Sequence, residues 1–116
     1  MTPTAEVKRR YLRDEPQVRL GGLASNLARV RSFSQHPDHE EEVARLIDES
    51  AHFIEWTAAD VGDEARLALL ELQRQLVRWR RFSAELWRDQ NRREKMAQDA
   101  AGWSQRILRL AGYLPD

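Results

Sequence analysis

From Asp63 to Ala101 the chain contains neither glycine nor proline, and the residues there are mainly Leu, Ala, Arg, Glu and Gln. These are the strongest helix formers, and nothing in the stretch offers the left-handed or N–H-less position that stops a helix. Elsewhere β-branched residues are few and scattered, and the prolines and glycines fall at wide intervals. Strands have no place to form, so an all-α fold is expected.

Pro16, Pro37, Gly62 and the polar run Asp89–Glu94 divide the chain. The first segment, Thr4 to about Asp14, begins with a Thr cap and ends before Pro16. It is a short basic arm, below the length at which isolated helices persist, and only Val7, Tyr11 and Leu12 could dock it. It is therefore expected to be marginally ordered. In the second segment, about Gln17 to Gln35, Leu20, Leu23, Ala24, Leu27, Val30 and Ser34 share an arc of about 120°. Gly21 and Gly22 lie inside this helical pattern, where they suit close packing or a bend. The third segment starts near Pro37 with acids in its first turn. It carries Val43, Leu46, Ile47, Ser50, Phe53, Ile54, Thr57 and Val61 on one face, and Gly62 is placed to end it in a left-handed conformation.

Two apolar stripes follow: Leu69, Leu72, Leu76, Trp79, Ser83 and Leu86, then Met96, Ala100, Trp103, Ile107, Leu110 and Leu114. Asn91 and Glu94 have capping-box spacing, which favours a break between residues 88 and 92. Without it, a helix of roughly 45 to 50 residues would project about 70 Å and need a second chain to cover it. With it, the chain folds as one helical domain over 1–116: a basic arm, 1–16, and an antiparallel bundle of about four helices, 17–116, with 63–88 as its long third helix.

Cysteine is absent, which removes disulfide frameworks, Cys-ligated zinc, iron–sulfur clusters and thiol nucleophiles. No apolar run approaches the ~20 residues of a membrane span, and residues 1–16 are too charged for a signal peptide, so a cytoplasmic protein without membrane association is expected. No Gly-x-Ser-x-Gly elbow or phosphate-binding glycine loop is present, and an enzyme is not expected. Glu49 and His52 have the Glu-x-x-His spacing of di-iron bundles. There is one such motif where two are needed, and helical rotation turns His52 outward. A carboxylate/His metal bundle is thus the remote alternative, as is a stray ion at His36 and His39. No metal or cofactor is expected.

The formal charge is zero only as a whole: residues 1–35 carry a net +4, 36–62 carry −7 and 63–116 carry +3. Either the acidic segment is neutralised by packing between its basic neighbours, which is the expectation, or it presents an acidic face to a partner. The 63–88 helix is over-supplied with apolar residues, having Leu67, Leu70 and Val77 on one flank and Phe82 on the other. Such a helix is central in a bundle or lies in an interface. The expected function is a non-enzymatic helical module, an adaptor or regulator, that works by protein–protein contact and self-associates as a homodimer. The candidate interface residues are Trp56, Leu70, Val77, Trp79, Phe82 and Leu86. The alternative is a nucleic-acid-associated protein using Lys8, Arg9, Arg10 and Arg13 of the arm with Arg74, Arg78, Arg81, Arg88 and Arg92 along the long helix. Against it, Glu71, Glu85 and Asp89 interleave those arginines, and the pI is near 6.9.

Overall fold

The computed structural model describes residues 4–115, and no strand occurs among the described residues. Thr4 opens helix α1 (Ala5–Arg13) by accepting a hydrogen bond from the Val7 amide at 3.2 Å. Helix α2 (Pro16–Phe33) begins on Pro16, whose missing N–H costs nothing at a first helical position. A 3-10 turn at Pro37–His39 leads into α3 (Glu40–Thr57), which carries Glu40, Glu41 and Glu42 in its first turn.

Helix α3 ends at Thr57, earlier than its apolar pattern suggests, and runs into a 3-10 turn at Ala58–Asp60. Gly62 is not left-handed: with φ −71° and ψ 172° it stands at the entry to α4 (Asp63–Arg81). The left-handed glycine is Gly112, at φ 86° just beyond the last helix.

The 63–88 helix is not one straight rod. Phe82 departs from helical geometry (φ −107°, ψ 23°), and α5 (Ser83–Arg88) continues beyond it. The hydrogen-bond ladder is bent rather than cut, because the Phe82 amide still reaches Arg78 O at 3.0 Å and the Leu86 amide reaches Phe82 O at 2.9 Å. The chain reverses at Asp89, before α6 (Gln90–Leu110). The break is where it was expected, but its cap is Asp89 and not Asn91. The Asp89 carboxylate accepts from the amides of Asn91 (2.9 Å) and Arg92 (3.4 Å), and its charge faces the positive helix end. Among the described residues there are six α-helices: the arm α1 and five more, of which α4 and α5 are the two parts of the expected long third helix.

Helix α2 packs against both α3 and α6, while α4 closes more thinly on the same two helices and α5 lies on α6. Leu23, Leu27, Val30, Leu69, Leu72, Leu76, Ala100 and Ile107 are completely buried between them. Gly21 allows a close approach, since a Cβ there would come within 3.3 Å of the Tyr113 ring. Ser83 leaves the apolar stripe and is exposed, because the chain bends just before it.

The N-terminal arm is docked, through one of the three residues its sequence offered for the purpose. Tyr11 is buried, stacks on Phe53 with ring centroids 3.9 Å apart, and its hydroxyl donates to Arg19 O at 3.0 Å. Leu12 plays no part and stays exposed. One aromatic residue with both its ring and its hydroxyl satisfied fastens a helix that its length alone could not hold. The acidic segment meets its basic neighbours through Asp60 with Arg19 and Asp48 with Arg80, both at 2.9 Å.

Candidate interaction surface on helix α4

Helix α4 is apolar on two opposite faces. Its inner face, Ala68, Leu69, Leu72, Leu76 and Trp79, is at most 4% exposed. On the other side Leu67 is 63%, Leu70 51% and Val77 56% exposed, although each is aliphatic. At 100° per residue these three point almost directly away from the core and share their face with Asp63, Arg74 and Arg81. No element among the described residues covers that face. The apolar excess anticipated for this helix is therefore real, and it lies in solvent.

Beside this face, α4, α5 and α6 enclose a groove of about 320 Å³. Trp79, Phe82, Leu86 and Met96 give it an apolar lining, and Arg78, Arg92 and Lys95 stand with them. Lys95 is already engaged by Asp99 at 2.8 Å. Phe82, on the flank of α4 where the helix kinks, remains 47% exposed.

The expected interface residues therefore separate. Leu70, Val77 and Phe82 are exposed, and Leu86 is half-buried at the groove. Trp79 is only 4% exposed and belongs to the core beneath. Trp56 is a joint within the chain and not a free anchor: it lies 5.7 Å from Tyr11, 5.6 Å from His52, and has Lys8 Nζ 5.7 Å above its ring. Leu67, although noted on the flank of this helix, is missing from the expected interface and is its most exposed aliphatic residue.

The basic residues also separate. The arm docks at the C-terminal end of α3, through Phe53 and Thr57, whereas Trp87 of α5 bonds to Pro37 at the opposite end. Lys8, Arg9, Arg10 and Arg13 therefore do not adjoin Arg88 and Arg92. Among the long-helix arginines, Arg74 and Arg81 lie on the outer face, Arg78 and Arg92 line the groove, and Arg88 follows the kink. The arm and the kink thus carry their basic residues at opposite ends of α3. The expected neighbour pairing also changes, since Glu71 binds Arg106 of α6 at 3.0 Å instead of Arg74.

For the metal motif, Glu49 accepts from Asn26 Nδ2 at 3.0 Å and His52 faces Glu55 at 3.4 Å. No group of three or more His, Asp or Glu side chains placed to hold a metal occurs among the described residues. None of their helices is long and apolar enough to cross a membrane. The Tyr11 phenol is pushed up to about 12, chiefly by burial. Its phenol stays protonated and serves as a fastening.

Comparison with protein-family models, with curated proteins and with solved structures yields no match.

Proposed function

We propose that this chain is a non-enzymatic helical module, an adaptor or regulator built as an antiparallel bundle, which acts by protein–protein contact and associates with a second copy. The observation that carries this reading is the outward face of α4, where three aliphatic side chains are each more than half exposed on a helix whose inner face is full. Single exposed aliphatics are ordinary, but three on one helical face form a patch of the kind that marks an interaction site. The groove at Phe82 extends the apolar surface. The division of the basic residues between opposite ends of α3 favours a protein ligand over a nucleic acid.

Sedimentation equilibrium across the micromolar range tests the reading. The 13.6 kDa chain should approach twice its mass as concentration rises. A chain that remains monomeric at its highest soluble concentration removes self-association. Retention on a duplex or single-stranded oligonucleotide at physiological salt, falling steeply as salt rises, would move the function to nucleic acid.

A further inference from the structure

The outward face of α4 holds six residues, Asp63, Leu67, Leu70, Arg74, Val77 and Arg81, at successive spacings of four, three, four, three and four. That is the repeat of a two-helix seam. The face also has a symmetry. Asp63 and Arg81, Leu67 and Val77, and Leu70 and Arg74 are each equidistant along the helix from Leu72. A helix laid antiparallel on itself about that height therefore sets acid against base at both ends, aliphatic against aliphatic next, and the Arg74 stem against Leu70 beside the axis. A parallel pair would set Asp63 on Asp63 and Arg81 on Arg81.

Resting on the self-association proposed above, we infer that the occupant of this face is a second copy of the chain, paired antiparallel through α4 with Asp63 opposite Arg81 of the other protomer. Charge complementarity extends to one flank, where Glu64 comes within two residues' rise, about 3 Å along the axis, of Arg78 and the central Glu71 is neutralised by Arg106 within its own chain. On the other flank Arg66 and Arg80 approach across the seam. Arg66 is occupied by the carbonyls of Ala58 (2.9 Å) and Val61 (3.0 Å), and Arg80 by Asp48. Asp63 itself is 97% exposed at its side chain and holds Arg66 only at 3.5 Å, which leaves it available to a partner. One helix face, about 28 Å long and about 10 Å wide, falls well short of the ~800 Å² a side of a standard interface. The pair is accordingly a weak one, with a dissociation constant in the micromolar range.

The cysteine-free sequence makes the geometry directly testable. In the antiparallel pair Leu67 lies opposite Val77, while the two Leu67 positions are about 15 Å apart along the axis, beyond the reach of a disulfide. Mild oxidation of mixed Leu67→Cys and Val77→Cys chains should yield covalent dimers, and either variant alone should not. Covalent dimers from Leu67→Cys alone would establish a parallel pair and overturn the inference while leaving self-association intact. A sedimenting dimer that neither pairing links would place the contact elsewhere, with the same result. A monomer at all concentrations would sink the proposed function together with it. As a second measure, Asp63→Arg and Arg81→Asp should each weaken the dimer about five- to tenfold, and the double variant should restore it. Failure of that rescue in folded protein would also count against the antiparallel register.

Discussion

The hydroxyl of Tyr11 lies 3.0 Å from Thr57 Oγ1, joining the first helix to the end of the third across 46 positions of sequence. The phenol has one proton, and Arg19 O receives it at 3.0 Å, so Thr57 is the donor to Tyr11. Burial raises the phenol to about 12, against about 10 for an exposed tyrosine. The folded protein thus retains a proton that the unfolded chain releases. The corresponding stability is complete below pH 10 and is lost as pH climbs from 10 towards 12, by at most about 2.7 kcal/mol. Urea unfolding at pH 8 and pH 11 should show this loss, and Tyr11→Phe should abolish the Tyr11 part of it while costing about 1 to 2 kcal/mol at pH 8. An unchanged alkaline slope in Tyr11→Phe would rule Tyr11 out as its source.

Arg19 and Asp60 form an ion pair of unequal partners, Arg19 being buried and Asp60 half-exposed. Besides Asp60, Arg19 binds Asp14 O at 3.0 Å and Trp56 O at 2.9 Å. Solvent screens the Asp60 carboxylate, so Asp60→Asn should cost under about 1 kcal/mol. Arg19→Ala leaves two carbonyls without their donor and empties a packed site, and should cost about 2 to 3 kcal/mol. Equal costs for the two variants would show that charge and not the carbonyl bonds governs this joint.

Adjacent residues on α4 should behave oppositely. Leu76 is completely buried and Val77 is 56% exposed. Leu76→Ala should lower unfolding stability by about 2 to 4 kcal/mol. Val77→Ser should leave monomer stability within about 0.5 kcal/mol of the parent but weaken the dimer. Measuring unfolding at low protein concentration and association by sedimentation separates the two effects. A Val77→Ser chain that unfolds as readily as Leu76→Ala would place Val77 in the core.

The helices were legible because the apolar residues of α2, α3 and α6 repeat at helical spacing, and the positions read from that spacing, such as Leu23, Leu46 and Met96, are buried. The reversal at Asp89 was legible from the polar run around it. Three features were not. The arm's docking depends on Thr57 and Phe53, more than 40 positions from Tyr11, and local pattern carries no record of such contacts. The kink at Phe82 has no glycine or proline to announce it. The exposed outer face of α4 was obscured because Arg74 and Arg81 read as a solvated basic face, while Leu67, Leu70 and Val77 read as the flank of one broad apolar stripe. Only the burial of Leu69, Leu72 and Leu76 on the opposite side separates the two faces.

The bend at Phe82 also depends on a contact distant in sequence. Trp87 is 8% exposed, and its Nε1 donates to Pro37 O at 2.7 Å, tying α5 to the entrance of α3. Its own carbonyl accepts from Arg93 Nη1 at 2.7 Å, and that guanidinium sits 5.7 Å from the indole ring. A helix of six residues has no stability of its own, so these bonds must hold α5 in place. Trp87→Phe keeps much of the ring and removes the donor, and should cost about 1 to 2 kcal/mol. Amides of residues 83–88 should then exchange with solvent faster than those of α2 and α3. The groove beside Phe82 should loosen with them, whereas the outer face of α4, which ends before the bend, should still pair with a second copy. If Trp87→Phe lowers global stability while the protection of residues 83–88 relative to α2 stays at the parent value, the indole is only core filling, and the position of α5 is fixed by Arg93.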